Sequence, residues 1–259
     1  MDALTPPMRS NVMTVSRGTG LFIAFALLVS AGCVRLGFWQ LDRLRERRAA
    51  NAAIIAQLAD SPRAAADLFA DSAPRFRRAV ASGWYDFANE FVLTSRSRNG
   101  APGVHVITPL RQDGRDTAIL VNRGWIYAPD GMRADLSHFR EDSTATVDGF
   151  VEVFVRGAGG GGPVATPSVA RAVRRLDRDS IAAMLPYPIA PILVVQRRDS
   201  GEAAAVARGT PVRADPPPLD EGPHRSYAVQ WFAFALVGVV GSVLVARRDR
   251  RRTAAPSAE

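Results

Sequence analysis

The sequence predicts an α+β protein in which two transmembrane helices, one near each end, flank a mainly antiparallel β domain outside the membrane. Three observations predict this fold. Residues Leu21 to Val34 and residues Tyr227 to Ala246 carry no charge, and short strand-like segments with turn signals fill the chain between them. About twenty apolar residues at 1.5 Å rise match the hydrocarbon core of a bilayer. Closely spaced strands favour an antiparallel sheet or small barrel over βαβ units.

The predicted segments follow one another along the chain. They are a cytoplasmic N-terminal tail (1–19), a first transmembrane helix (20–41), the outer β domain (42–210), a proline-rich linker (211–223), a second transmembrane helix (224–246) and a cytoplasmic arginine-rich tail (247–259). The linker is stiff because of its prolines, and we expect it to return the chain to the membrane.

The first apolar run permits three interpretations. In the first, it is a membrane helix in which Arg35 reaches the outer interface. In the second, it is a cleaved signal peptide. In the third, Ser30–Cys33 is a lipoprotein cleavage site, although Ser30 stands where a leucine-like residue is expected. The helical periodicity continues past the apolar core through Arg47, and nothing breaks it before Ser61. This continuity favours the membrane helix.

Arginine clusters indicate the orientation of the spans, because basic residues beside a span favour the cytoplasmic side. One cluster follows each span: Arg43, Arg45, Arg47 and Arg48 after the first, and Arg247, Arg248, Arg250, Arg251 and Arg252 after the second. Two spans place both termini on one side, so the clusters conflict. We base the predicted orientation on the second cluster, because it is directly juxtamembrane and a large domain can be translocated despite local charge. We expect a cell (inner) membrane protein with both termini in the cytoplasm.

Composition excludes several classes of function. All 33 basic residues are arginine, which excludes a Schiff-base lysine and a phosphate-loop lysine. Cys33 is the only cysteine, so an intrachain disulfide and a multi-cysteine metal site are both excluded. Much of the net charge of +8 lies beside the spans, which favours contact with the lipid bilayer over nucleic-acid binding. Neither Gly-x-Ser-x-Gly nor His-Glu-x-x-His occurs, and we predict no enzymatic activity.

The region between the spans has the pattern of a β domain. The predicted strands are Arg75–Tyr85, Glu90–Ser97, Val104–Leu110, Thr117–Trp125, Thr144–Val155, Arg171–Leu176 and Ile192–Gln196. Asp113-Gly114 separates the third and fourth strands and predicts a hairpin. Helices are predicted over Ala52–Asp71, with a break at Ser61-Pro62, and over Asp179–Leu185. The glycine-rich segment Gly157–Pro163 lacks a helix to cap, so we interpret it as a flexible loop and not a phosphate loop.

Two of the three histidines lie in the predicted β domain. His105 is in the middle of a strand, where a structural hydrogen bond at a sheet face is the simplest interpretation. His138 has Asp135 three residues before it. This spacing occurs in metal sites, but two ligands are weak evidence for one.

His224 is in a different setting, at the start of the second span. His224, Tyr227 and Trp231 lie at helical positions i, i+3 and i+7, which is one stripe of one face. Histidine is a common axial ligand of haem iron. The alternative is an interfacial histidine beside an ordinary aromatic belt.

The segment Asn122-Arg123-Gly124-Trp125 ends a predicted strand with an arginine beside an aromatic residue. One interpretation is a turn in which an exposed Arg123 stacks on Trp125, a cation–π pair of about 0.5–1 kcal/mol. The other gives Arg123 a role at the water boundary, where it would meet an anionic group.

Four motifs in order resemble those of the Surfeit locus protein one family, assembly factors of haem–copper cytochrome oxidase. They are Leu36-Gly37-x-Trp39-Gln40-x-x-Arg43, Pro102-Gly103-x-His105-Val106-x-Thr108-Pro109, Leu120-Val121-Asn122-Arg123-Gly124-Trp125-Ile126 and His224-x-x-Tyr227-x-x-x-Trp231. Two positions depart from the family pattern. Arg47 stands where lysine is usual, and Gly222 replaces a frequent asparagine that would support His224.

The resemblance implies that the protein binds haem a and aids its insertion into the catalytic subunit of the oxidase. By this resemblance His224 ligates iron, Tyr227 and Trp231 flank the macrocycle, and Arg225 or Arg123 pairs with the propionates. The expected partners are the oxidase catalytic subunit, haem a synthase and the lipid bilayer. Two alternatives remain: a scaffold that binds oxidase subunits without haem, and a membrane-anchored enzyme on the outer face, which the missing nucleophile motifs disfavour.

Overall fold

The computed structural model describes residues 16–155, 171–198 and 202–254. The chain divides into two compact units: a helical unit, Met1–Ala52 with Leu219–Glu259, and a β unit, Ala53–Pro218. The helices are α1 (Arg17–Ala59), α2 (Arg178–Ala182), α3 (Glu202–Ala207) and α4 (His224–Ala254). The strands are β1 (Arg63–Ala64), β2 (Arg78–Tyr85), β3 (Phe91–Arg98), β4 (Ala101–Arg111), β5 (Ala118–Tyr127), β6 (Thr144–Val153), β7 (Arg171–Val173) and β8 (Ile189–Gln196). The predicted loop Gly157–Pro163 lies outside the described residues.

The helical unit contains two helices, α1 and α4, that are long and apolar enough to cross a membrane. Helix α1 continues well past its apolar segment, which confirms the prediction that the helical pattern runs on beyond Arg47. Large apolar side chains such as Phe25, Leu28 and Leu244 are exposed on the outer faces of the two helices. Exposed apolar side chains on these helices suit contact with lipid, which supports a membrane protein with two spans.

Small and polar residues form the face of α1 that packs against α4. Its buried positions alternate in steps of three and four: Ser30, Cys33, Gly37, Gln40 and Leu44. The buried positions of α4 recur every seven residues: Ala228, Ala235 and Ser242. These spacings are those of helices crossing at a shallow angle. A Cβ on Gly37 would lie 2.6 Å from Cε1 of Phe232, so glycine allows this close approach.

The β unit is one eight-stranded sheet with the order β1-β2-β6-β8-β5-β4-β3-β7. An additional pairing between β2 and β4 closes the ring β2-β6-β8-β5-β4 into a small barrel. The predicted hairpin at Asp113-Gly114 joins β4 to β5 in antiparallel register. Most pairings of the described strands are antiparallel, as predicted, while β1–β2, β3–β7 and β5–β8 are parallel. The predicted α+β class is confirmed.

Two segments of the β unit differ from the sequence-based expectation. The helix predicted over Ala52–Asp71 ends at Ala59, and a two-residue strand and a 3-10 turn over Ala65–Leu68 follow. Burial of Leu68 in the barrel core holds this turn in place. Within the predicted linker, Val212 pairs with Trp125 of β5 and Ala214 pairs with Arg197. The start of the linker is therefore bound to the β unit through backbone hydrogen bonds.

Candidate functional site

The imidazole of His224 is hydrogen-bonded to a side chain of the other long helix. Its Nδ1 lies 2.8 Å from Oε1 of Gln40. An amide oxygen can only accept, so Nδ1 donates and carries the ring proton. The other ring nitrogen, Nε2, therefore has a free lone pair in the neutral imidazole. This is the tautomer in which Nε2 can ligate a metal.

Gln40 is positioned by the packing of α1 on α4. It lies on the packed face between Gly37 and Leu44 and is 9% exposed. A buried amide oxygen without a donor is costly, and the N–H of His224 supplies that donor. Each side chain thus holds the other in place.

The loop before His224 is fastened to the same face of α1. The Asn51 amide donates to the carbonyl oxygens of Leu219 and Asp220 at 3.2 Å each. Arg48 makes a two-pronged pair with Glu221, with both N–O distances 2.8 Å. The hydrogen bond from Arg48 lowers the pKa of Glu221. These contacts fix where α4 begins and therefore where its first residue, His224, lies.

Gly222 leaves open space beside the free nitrogen of His224. Its φ is +68°, a conformation that glycine adopts without cost and that asparagine tolerates. A Cβ at this position would lie 3.3 Å from Cδ2 and 3.4 Å from Nε2 of His224. The missing asparagine of the family pattern therefore does not leave the imidazole unsupported, because Gln40 holds its other nitrogen.

The aromatic residues of the predicted stripe lie on α4 next to His224. Tyr227 is 45% exposed, and Trp231 is half-buried with its ring 6.0 Å from that of Phe234 in an edge-to-face arrangement. Arg225 is exposed and lies close enough to Glu221 to lower the pKa of that carboxyl. The start of α4 thus carries a bare imidazole nitrogen, exposed aromatic surface and one exposed cation.

Arg123 is not an exposed arginine stacked on Trp125, and its guanidinium is not exposed to water where an anionic group could meet it. Its side chain is 0% exposed inside the β unit. The guanidinium lies 5.3 Å from the ring centres of both Tyr85 and Phe87. Burial, opposed by the charge of Arg123, raises the pKa of Tyr85 to about 12.

Two glutamates neutralise the buried Arg123. Its Nη1 lies 3.3 Å from Glu90, and its Nε and Nη2 lie 3.0 and 2.7 Å from Glu141. Nη2 also donates to the carbonyl oxygen of Phe139. Arg213 pairs with the second oxygen of Glu141. Burial raises the pKa of Glu90 even though Arg123 and Thr108 both favour its ionised form. The guanidinium therefore makes its ion pairs and hydrogen bonds with groups of the β unit.

A β-bulge explains why Arg123 points inward. Val106 of β4 faces Gly124 and the next residue, Ile107, faces Asn122, so Arg123 is the extra residue of β5. A bulge re-aims the side chain it contains. Gly124 has a φ of +129°, and a Cβ there would lie 2.3 Å from the carbonyl oxygen of Val212. Glycine is required at this position for both reasons.

The two central motifs meet side by side on β4 and β5. Asn122 accepts a hydrogen bond from the Gly124 N–H on Oδ1, so its Nδ2 faces Nδ1 of His105 at 3.0 Å. His105 must then accept on Nδ1 and carry its proton on Nε2. Burial first, and then Arg96 and Arg98, lower the pKa of His105 to about 4. The structure thus confirms the hydrogen bond expected for His105 and gives it the tautomer opposite to that of His224.

His138 lies on the surface of the β unit. Its Nε2 is 3.6 Å from Asp135, and the two side chains are 81% and 68% exposed. Across the described residues, no group of three or more potential metal ligands is found.

Three residues of these networks were not predicted as site residues. Gln40 belongs to the first motif, and a glutamine on the packed face of an apolar helix is a signal for a buried polar contact. Glu90 and Glu141 carry no local pattern that would have paired them with Arg123. Arg123 lies 33 positions after Glu90 and 18 positions before Glu141 in the chain.

Comparison with known proteins agrees with the order of the four motifs. A family model described as the SURF1 family matches residues 27–236, which is most of the chain and includes all four motifs. No curated protein matched the chain. The long apolar helices at both ends and the β domain between them are the architecture expected from the motifs. The chain therefore belongs to the SURF1 family, a family of oxidase assembly factors.

Proposed function

We propose that this protein binds haem a at the start of α4 and passes it to the catalytic subunit of a haem–copper cytochrome oxidase. The observation that carries the proposal is the hydrogen bond from His224 Nδ1 to Gln40, because it leaves Nε2 free to ligate iron. Haem a supplies an iron that takes a histidine nitrogen and an apolar ring that prefers a membrane environment. The proposed activity is binding and transfer, without a catalytic step.

The surroundings of His224 suit such a ligand. Tyr227 and Trp231 offer aromatic surface on the same stripe of α4, where they would flank the macrocycle. Arg225 is exposed and could pair with a propionate. A single histidine with no second protein ligand would hold the cargo with moderate strength, which suits release to a partner. Arg123, the other predicted partner of a propionate, already pairs with Glu90 and Glu141 in the interior of the β unit.

His105 and His138 are weaker candidates for the iron ligand. The tautomer of His105 places a proton on Nε2, and its Nδ1 already accepts from Asn122. His138 is exposed, and its nearest charged neighbour is a carboxylate and not an apolar surface. Of the three histidines, only His224 combines a free nitrogen with an exposed aromatic side chain, Tyr227, at the start of an apolar helix.

The proposal extends to location and partners. We infer that both termini are cytoplasmic in the cell (inner) membrane and that the start of α4 lies at the outer boundary. The arginines after the second span support this orientation. Haem a synthase is the proposed donor, and the oxidase catalytic subunit is the proposed acceptor.

The test is the substitution His224→Ala in full-length protein made in cells that synthesise haem a. It removes the nitrogen ligand and leaves the apolar span intact, so insertion should be kept while co-purifying haem falls sharply. His138→Ala is the matched control, because it removes an exposed histidine and should leave the Soret band unchanged. An unchanged haem complement in His224→Ala would contradict the proposal. The protein would then be a scaffold that binds oxidase subunits without haem.

A further inference from the structure

The β unit contains an open cleft of about 540 Å³ that the proposed haem site does not use. Strands β3, β4, β5, β6 and β8 contribute to its wall, and its lining is largely apolar, with Phe76, Phe150 and Val195 among the lining residues. Sites for small molecules typically enclose about 300–1,000 Å³ and combine apolar walls with a few placed polar groups. All the lining residues lie within the β unit.

The charged groups of the cleft do not balance. The lining carboxylates already have arginine partners: Glu152 lies 2.7 Å from Arg75, and Asp215 lies 2.6 Å from Arg198. Arg96 also lines the cleft and is half-buried, and burial lowers its pKa. Within residues 16–155, 171–198 and 202–254, no carboxylate pairs with Arg96. A half-buried guanidinium without a counter-charge is costly, and an anion would relieve that cost.

A second hydrogen-bond donor lies in the same wall. His105 lines the cleft, and its Nδ1 is occupied by the Asn122 amide, which leaves the proton on Nε2. The positive charge of Arg96 lowers the pKa of His105, which requires the two groups to lie near one another. The low pKa of His105 keeps the ring neutral, so that it offers a donor without adding charge. Arg96 and a neutral N–H donor beside apolar walls, with the exposed Arg175 also on the lining, suit an anionic group attached to an apolar chain.

We propose that this cleft binds an amphipathic anion, with a carboxylate or phosphate group at Arg96 and His105 and an apolar chain along Phe76, Phe150 and Val195. An uncharged chain of the same length would leave Arg96 unpaired, and a cationic one would be repelled by it. The inference is independent of haem binding at His224.

The test uses full-length protein in lipid nanodiscs and a photoreactive dodecanoate that carries a diazirine near the end of its chain. After illumination, the cross-linked peptides are identified by mass spectrometry. We expect cross-links in β6 and β8. Arg96→Gln removes the charge and should reduce cross-linking at these strands about tenfold or more, because a charge-assisted hydrogen bond is lost. Arg115→Gln changes an exposed arginine in the β4–β5 hairpin, and this control should leave cross-linking unchanged.

A second variant keeps the proposal testable if Arg96→Gln does not fold. Ala214→Phe leaves Arg96 in place and puts a ring into the cleft that Ala214 lines, so it should also abolish the cross-links. Unlabelled dodecanoate and dodecyl phosphate should compete, and the stronger competitor identifies the anionic group. Equal competition by dodecyltrimethylammonium would overturn the proposal, as would cross-links confined to α1 and α4, which report partition into the bilayer only.

Discussion

His224 Nδ1 donates a hydrogen bond to Gln40 Oε1 across 184 positions of sequence, and this bond joins the first residue of α4 to the packed face of α1. The bond has two consequences. It selects the tautomer in which Nε2 is free, and it restricts rotation of the ring. A ligand nitrogen held in one orientation loses less entropy on binding than a freely rotating one.

We expect Gln40→Leu to weaken haem binding about 10–100-fold, because Nδ1 loses its acceptor and the ring loses its fixed tautomer. Gln40→Glu should bind haem as the unchanged protein does, because the carboxylate also accepts from Nδ1. It should lower the reduction potential of the bound haem, because a carboxylate acceptor makes the imidazole a stronger donor to iron. Haem titration and potentiometry of the purified full-length protein measure both effects. Gln230→Leu, an exposed glutamine of α4, is the control and should behave like the unchanged protein. Equal losses in the two leucine variants would rule out a positioning role for Gln40.

We expect Gly37→Ala to destabilise the helical unit by about 1–3 kcal/mol, because the new methyl group would overlap the Phe232 ring. Its haem loading should fall too, since Gln40 lies one turn away on the same face of α1. Gly32→Ala is the matched control, because a Cβ there has no other atom within 4 Å. Thermal melting of both variants in detergent, followed by tryptophan fluorescence, measures the difference. A Gly37→Ala protein as stable as the control would mean that the two helices are not packed this closely.

We expect Arg123→Met to lower the free energy of unfolding by about 3–5 kcal/mol, because it leaves Glu90 in the interior without its cation and removes one of the two arginines that pair with Glu141. Arg115→Met changes an exposed arginine and should have almost no effect. Thermal melting of the strand signal in circular dichroism measures both. Any Arg123→Met protein that folds should still bind haem normally. A stable variant with a selective loss of haem would instead return Arg123 to the binding site.

His105 should make the stability of the β unit depend on pH. The pKa of His105 is about 4 in the folded protein, against an ordinary value of 6.5. Between these values the unfolded chain binds more protons, so the free energy of unfolding falls as the pH drops through this window, by up to about 3 kcal/mol. His105→Ala should cost about 1–3 kcal/mol at neutral pH, because the Asn122 amide loses its acceptor. It should also flatten the pH profile, which urea unfolding at several pH values would measure. A variant profile as steep as that of the unchanged protein would assign the effect to another group.

A reporter fused after Glu259 should be active only inside the cell, because the arginines that follow the second span favour the cytoplasmic side. A reporter inserted into Gly157–Pro163 should be active only outside. The reverse pattern in the two fusions would overturn the proposed orientation. A mature N-terminus at Cys33 carrying lipid would instead establish the lipoprotein interpretation.

Local patterns predicted much of the fold. The length of α1 followed from its unbroken periodicity, and the β4–β5 hairpin followed from Asp113-Gly114. The parallel pairing of β5 with β8 was not predictable in this way, because no local pattern specifies which distant strands become neighbours. The closing contact between β2 and β4 is equally non-local.

The candidate site was predictable only in part, for the same reason. Helical spacing aligns His224, Tyr227 and Trp231 on α4, but the partner of His224 comes from the other end of the chain. Arg123 was misplaced because β5 is buried along almost its whole length, so no alternation of polar and apolar residues reveals its faces. One extra residue in a bulge then reverses the direction of the side chain.

The closure of the barrel through β2 and β4 also limits unwanted association. The outermost described strands of the sheet are β1, with two residues, and β7, with three. Strands this short expose few free backbone groups, so they are poor templates for a strand from another molecule. Each of the five strands of the barrel pairs on both sides, which protects these strands from edge-to-edge aggregation.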